Sequence, residues 1–227
     1  MMAAADKMSG DAPDGLLLGE DGKLRCFWSA KDAPYQRYHD EEWGEPIVDD
    51  DGIFERMALE GFQAGLSWIT ILRKRENFRE AFRGFHVEDV AAFGEDDVLR
   101  LLDNSGIIRH RGKIEAAIRN ARAILRLRET HASLLSFMAP WFLAAIDEQG
   151  PTDSAAAVAR GSTPVSLSLS NALKAEGFRF VGPTGVYAML QALGVVSDHI
   201  DGCWRCEQGA KNQARWREIL APLVAAK

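Results

Sequence analysis

The stretch Glu176-Gly177-Phe178-Arg179-Phe180-Val181-Gly182-Pro183-Thr184 separates two segments with helical spacing, around Leu173 to Glu176 and Val186 to Leu193. Its glycines allow backbone turns that a Cβ would obstruct, so the segment reads as a tight corner between two helices. The second helix begins near Pro183, a residue suited to a first helical turn. No carboxylate competes for its unpaired N–H groups, which together with the helix dipole favour an anion. A phosphate on this corner is one reading. An ordinary helix-loop-helix corner with Phe178 and Phe180 in the core is the other. It is not a nucleotide-binding P-loop, because no Gly-Lys-Ser/Thr follows.

Working outward, nearly every patterned stretch has helical spacing. Ile53, Phe54, Met57 and Ala58 follow Asp49-Asp50-Asp51, whose carboxylates suit a helix N-terminus. Phe78, Ala81, Phe82 and Phe85 repeat the spacing, and Val90 to Leu102 reads as two short helices broken near Gly94. Ile114, Ile118, Ala121 and Leu125 line one face of a longer helix whose other face carries Arg119, Arg122 and Arg126. Pro140 and Trp141 interrupt the apolar run from Ala139 to Ile146, which is in any case far too short for a membrane span. No alternating run is long enough for a sheet, so the fold class expected is all-α. Residues 1–22, rich in Ala, Gly, Asp and Lys, read as a disordered extension, and 23–227 as a single domain of two merged helical lobes.

The composition is that of a globular protein, with 47% hydrophobic and 26% charged residues in 227. The 27 Lys and Arg against 33 Asp and Glu give a net charge of −6, which by itself argues against nucleic acid. That total hides an asymmetry: Met1 to Glu60 holds six basic against 15 acidic residues, Leu99 to Arg128 eight against two. A polyanionic partner therefore stays open. The stretch Gly106-Ile107-Ile108-Arg109-His110-Arg111-Gly112-Lys113 is either a solvated helix entry or a phosphate contact with an apolar wedge. The N-terminus lacks the basic start and apolar middle of a secretory signal, so a cytoplasmic protein is expected.

Three cysteines do not make a disulfide framework here. Cys26 and His39 lie near the start of the ordered region, and His199 and Cys203 near its end in the pattern His-Ile-Asp-Gly-Cys. An i, i+4 pair on one helical turn can face a common ion, and two thiolates with two imidazoles complete a structural zinc shell. Unrelated buried residues give the same pattern, and Cys206, in Cys203-Trp204-Arg205-Cys206, is a rival ligand. Glu60 lies three residues beyond Met57, on or beside the apolar face of its helix. A carboxylate there must find donors or shift its pKa, which marks either a site or a helix-end hydrogen bond. Tyr35, Tyr38 and Trp68 are core aromatics or, with that carboxylate, a slot for a flat cationic ring.

The chain from Cys26 to about Cys203, roughly four fifths of it, resembles the DNA-3-methyladenine glycosylase I family of the helix-hairpin-helix superfamily. The resemblance rests on Cys26-Phe27-Trp28-Ser29, on Tyr38-His39-Asp40-Glu41-Glu42-Trp43-Gly44, on the run from Leu59 through Glu60 to Thr70, on Gly106 to Ile114, on Gly177 to Gly182 and on Asp198-His199. It implies structural zinc at Cys26, His39, His199 and Cys203, joining the N- and C-terminal regions, and a base pocket of Glu60, Tyr35, Tyr38 and Trp68. Gly177, Phe178, Val181, Gly182 and Thr184 would form the DNA-gripping hairpin, with Arg109 and Arg111 beside it. The implied activity is excision of 3-methyladenine from alkylated double-stranded DNA, releasing the free base. A monomer is expected, since one site on one duplex requires no symmetry. Two departures from the family are the acidic leader before Leu24 and the longer tail after Cys206. Asp198 lies about where other superfamily members carry a catalytic Asp, but it adjoins a zinc-ligand candidate and receives no role.

Overall fold

The computed structural model describes residues 12–29, 32–148, 150 and 153–225. Two strands, β1 (Leu16–Leu18) and β2 (Leu24–Cys26), pair antiparallel with Leu16 opposite Cys26. Helices follow: α1 (Ala33–Glu41), α2 (Asp50–Gln63), α3 (Trp68–Ala81), a 3-10 turn at Arg83–Phe85, α4 (Val87–Ala91), α5 (Glu95–Asp103) and α6 (Arg111–Leu127). Then come α7 (Leu134–Ala145), α8 (Ser154–Ala159), α9 (Pro164–Ala175), α10 (Pro183–Ala192) and α11 (Cys206–Ala225). Side chains set the starts. Asp32 accepts from the Tyr35 amide at α1, Asp49 from Gly52 at α2, and Thr163 and Ser166 form a reciprocal capping box at α9.

The centre is α2, which packs against α3, α4, α6, α7 and α10. Ile53, Phe54, Met57, Leu59 and Phe62 are all buried in one continuous core, each side chain worth about 1.5 to 3 kcal/mol when removed from water. A helix covered on so many sides has almost no solvent face. That explains how Glu60 comes to lie inside the molecule.

Three expectations change, and one helix appears that the sequence reading did not assign. The chain is overwhelmingly helical but carries the small β1–β2 hairpin. Residues 1–11 lie outside the described residues, whereas the rest of the expected extension is ordered up to Gly22. Leu16 is buried against Cys26, Ile200 and Cys203, and Phe27 donates its amide to the Gly15 carbonyl at 2.9 Å. Pro140 does not break α7, although it removes one helix hydrogen bond. Leu134, Leu135, Phe137, Met138 and Phe142 are buried on the same helix and outweigh that cost of about 3 kcal/mol. Finally, α11 returns along α7 and buries Trp216 and Leu220. Among the described residues no helix is long and apolar enough to cross a membrane.

Candidate active site

Three segments carry the candidate site residues. Helix α1 carries Tyr35 and Tyr38, α2 carries Glu60, and Trp68 is the first residue of α3. The Tyr38 and Trp68 rings lie 5.4 Å apart, tilted by 46°. Trp68 is half-buried, its Nε1 covered but without a partner. Tyr35 is half-buried and edge-on to Trp28 at 5.8 Å. Glu60 is 8% exposed and faces a small cavity lined by Met57, Phe180, Val181, Gly185, Val186 and Met189, between α2 and the turn into α10. Burial pushes its carboxyl up to about 8, against the opposing pull of Arg56. No hydrogen bond to the protein holds it among the described residues, so the helix-end reading of this side chain does not apply. Burial raises the Tyr38 phenol too, and the Glu60 charge adds to that rise, placing the two side chains in one electrostatic environment.

On the far side of α1, Cys26, His39, His199 and Cys203 bring one ligand atom each to within 4.8 Å of one another, all four residues buried. Cys203 Sγ lies 3.4 Å from His39 Nε2 and 3.6 Å from His199 Nδ1, and Cys26 Sγ 3.9 Å from His199 Nδ1. Asp40 Oδ1 lies 2.8 Å from His39 Nδ1, which fixes the ring proton there and turns the Nε2 lone pair inward. Contact with Cys26 holds Cys203 far below the usual thiol range, and Cys26 is driven far above it. Four such groups form a site that could hold a metal. His199 and Cys203 sit on a turn rather than a helix, with the Cys203 amide bonded to the Ile200 carbonyl at 2.9 Å. Cys206 turns its thiol to the His199 and Ile200 carbonyls and stands outside the group. Trp43 packs edge-on to His199 at 4.6 Å, and Tyr38 and His39 are adjacent on α1. The site and the pocket are therefore joined through one helix.

Beside the pocket, α9, the turn at 176–182 and α10 form the expected corner. Gly177 has φ +91°, a region unfavourable to other residues. Phe178 and Val181 are buried, so their side chains belong to the core and only their backbone can meet a partner. Phe180, expected inside if this were a plain corner, is 43% exposed. Gly182 caps α10 without a side-chain bond, and no acidic residue occupies the first turn, which includes Thr184. The 106–113 stretch divides. Arg109 is exposed, while Arg111 pairs with Glu95 and Glu115 at 2.9 and 3.2 Å. Lys113 is buried, donating to the carbonyls of Phe62 at 2.9 Å and Ala64 at 2.6 Å. Ile107 is buried and Ile108 half-buried, so neither supplies the wedge; the exposed apolar side chains near the pocket are Phe180 and Leu66. Asp198 accepts from Tyr187 and, at 2.5 Å, from Gln191, which ties it into the structure.

Arg56, Asn120 and Ser170 escape sequence reasoning. Ser170 donates to the Val181 carbonyl at 2.6 Å, and Asn120 binds Arg179, so two buried side chains hold the turn by its backbone. Both are polar residues at core spacing, which is the signal that was available.

An all but wholly helical domain with a buried carboxyl beside a glycine turn between two helices is the helix-hairpin-helix arrangement expected from the sequence. The methyladenine glycosylase family model matches residues 28–206, and the chain belongs to that family. It is 46% identical over 187 residues to DNA-3-methyladenine glycosylase 1 of Escherichia coli K12, covering 82% of this chain and 98% of that one. A crystal structure of 3-methyladenine DNA glycosylase I superposes with a TM-score of 0.74 at 47% identity, over 79% and 98% of the two chains. A single-residue variant of 3-methyladenine DNA glycosylase I, in complex with 3-methyladenine, gives 0.74 at 33% identity, over 79% and 96%.

Proposed function

We propose that the protein is a monofunctional DNA glycosylase that hydrolyses the N-glycosidic bond of 3-methyladenine in alkylated double-stranded DNA. It releases the free base and leaves an abasic site. The observation that carries this reading is Glu60, a buried carboxyl without a protein hydrogen bond, facing a cavity closed by the glycine turn and electrostatically coupled to Tyr38, whose ring lies 5.4 Å from that of Trp68.

The chemistry follows from the leaving group. Methylation at N3 makes the adenine cationic, so it departs neutral and requires no general acid. Binding the everted base is then the larger task. Unstacking costs a few kcal/mol, least for a damaged base, and stacking on Trp68 returns about 1 to 3 kcal/mol. In the free protein Glu60 near pH 7 holds its proton, because its carboxyl titrates at about 8. Ionising it one unit below that value costs about 1.4 kcal/mol. A cation 4 Å away supplies about 4 kcal/mol at an effective dielectric of 20. A positively charged lesion therefore ionises Glu60 as it binds, and ordinary adenine does not. Glu60 accepts hydrogen bonds from the lesion's edge, and its charge also stabilises the developing sugar cation or positions water. Tyr35 and Tyr38 shape the slot. The backbone of Gly177 to Thr184 takes the phosphodiester, with Arg109 beside it; Arg111 assists only by exchanging its carboxylates for phosphate.

Structural zinc is the ion we assign to Cys26, His39, His199 and Cys203. A tetrahedral ion with Zn–S about 2.3 Å and Zn–N about 2.05 Å sets S···N separations of roughly 3.5 Å, against 3.4, 3.6 and 3.9 Å here. Four protein ligands leave no open position, so the ion would fix α1 against the C-terminal region. We take residues 23–227 together with the β1 segment as one glycosylase domain, acting as a monomer in the cytoplasm where DNA is repaired. The test is release of base from a methylated duplex. Free 3-methyladenine in the supernatant is expected; release of only 7-methylguanine, or of nothing, would sink the assignment.

A further inference from the structure

Arg56 and Glu60 are four residues apart on α2 and both are buried. Around Tyr38 the molecule gathers two guanidinium groups, Arg56 and Arg75, and two carboxyl groups, Glu42 and Glu60. They do not share equally. Arg75 takes Glu42 with both terminal nitrogens, Nη2 at 2.9 Å from Oε1 and Nη1 on Oε2. Arg56 adds a longer ion pair to the same Glu42, its Nη2 3.6 Å from Oε2, while its Nη1 is buried without a partner. Its guanidinium carbon lies 5.8 Å from the Tyr38 ring centroid. The carboxyl left over is Glu60.

Among the described residues, the other surroundings of Glu60 offer no rival cation. From α1 come the neutral Tyr38 phenol and Glu42, the latter already neutralised by Arg75 from α3. The turn and α10 contribute Phe180, Val181, Gly185, Val186 and Met189, none of them charged. On α6, Lys113 directs its ammonium to the carbonyls of Phe62 and Ala64.

We propose that Arg56 is a positioning residue for base excision: its guanidinium is the counter-charge that lets Glu60 become a carboxylate when a cationic base enters, and so sets the pH at which the pocket turns anionic. The inference rests on the reading of Glu60 given above. One helical turn brings the two side chains near each other, yet no ion pair closes between them among the described residues, which leaves the Glu60 oxygens available to a base. Burial raises the Glu60 carboxyl, and Arg56 acts against that rise.

The experiment compares wild-type protein with R56M, R56K and E60Q. Single-turnover release of 3-methyladenine from a methylated duplex is followed from pH 6 to 10, and the Glu60 side-chain carboxyl is titrated by carbon NMR, with E60Q for assignment. In R56M the Glu60 midpoint is expected to rise by about one unit, with excision near pH 7.5 falling about tenfold and the difference closing above pH 9. R56K, which keeps the charge, restores most of the midpoint and the rate. Should R56M not fold, R56Q supplies the neutral arm. Coincident midpoints in wild type and the neutral variant overturn the proposal, as does an equal shift in R56K. Full excision by E60Q would instead refute the role of Glu60, whatever the midpoint does.

Discussion

Asn120 on α6 holds Arg179 by both of its backbone polar groups, donating from Nδ2 to the carbonyl at 2.9 Å and accepting at Oδ1 from the amide at 2.8 Å. This amide pair substitutes for a missing turn of regular structure in the segment between α9 and α10. Replacing Asn120 by Ala leaves both groups without partners in a partly buried place, at a cost of about 2 to 4 kcal/mol. The expected result in urea unfolding is a loss of that size. Affinity for undamaged duplex should fall with it while binding of free 3-methyladenine is retained, because the turn rather than the base slot is disturbed.

For Glu60 the sign of the pH dependence is fixed by burial. Its carboxyl rises from the usual 4.5 to about 8 on folding. The folded state therefore holds a proton that the unfolded chain has released over that window. The associated stability is fully present below about pH 4.5 and is lost as pH climbs to about 8, at up to roughly 1.4 kcal/mol per unit. E60Q removes this liability. Equal stability of the two proteins near pH 4.5, with the variant increasingly ahead toward pH 8, is the expected denaturation result. Excision of 3-methyladenine should meanwhile fall by tenfold or more. A variant less stable at pH 8 contradicts the burial argument.

Much of this could be read from residue order, and the limits have physical causes. The spacing of Ile53, Phe54 and Met57 fixed the inward face of α2, and with it Glu60. The i, i+4 spacing of His199 and Cys203 found two candidate ligands, which the structure brings together with Cys26 and His39, but suggested a helix where Gly202, at φ +92°, makes a turn. Pro140 misled because tertiary burial overrides local propensity. The segments Leu16–Leu18 and Leu24–Cys26 were invisible as strands, since three residues are too few for an alternating pattern and the pairing is decided by Leu16 packing against Ile200 and Cys203. Phe178 and Phe180 look alike in sequence, and only the backbone separates them: Phe180, at φ +54°, is turned outward. Asn120 and Ser170 could be flagged only as polar residues at core spacing, and their role was hidden because their partners are backbone groups elsewhere in the chain.

On the zinc assignment proposed above, stripping the ion from Cys26, His39, His199 and Cys203 should loosen α1 and thus move Tyr38. Chelation, or Cys26→Ser, is expected to abolish zinc content measured by metal analysis and to lower the melting temperature. Cys206→Ser should change neither, its thiol being bonded to carbonyls outside the group. Asp40→Asn is the finer probe. Asp40 holds His39 and is itself held by Arg25 and Trp204. Loss of that orienting carboxylate should weaken zinc binding by about 10- to 100-fold with the fold intact.

Two glycines separate packing from recognition. Gly194 follows α10 with φ +68°, and a Cβ there would lie 2.0 Å from the Gly44 carbonyl oxygen. That carbonyl also accepts from Asn212 at 2.7 Å, and the Gly44 amide donates to Ala192 at 3.1 Å, so the end of α1 cannot withdraw without breaking both bonds. Gly194→Ala should cost at least about 3 kcal/mol, a drop of roughly 6 to 12 °C in melting temperature for a chain of this size. Gly182 presents the opposite case. Its φ is −65° and a Cβ there would meet nothing within 4 Å, so stability should change by less than about 1 kcal/mol. The added methyl would stand at the entrance to the α10 amides, where a phosphate must approach closely. Gly182→Ala is therefore expected to melt like wild type and to bind duplex about tenfold more weakly, measured by fluorescence anisotropy at fixed salt. Unchanged duplex affinity in a folded Gly182→Ala protein would remove this turn from the DNA interface.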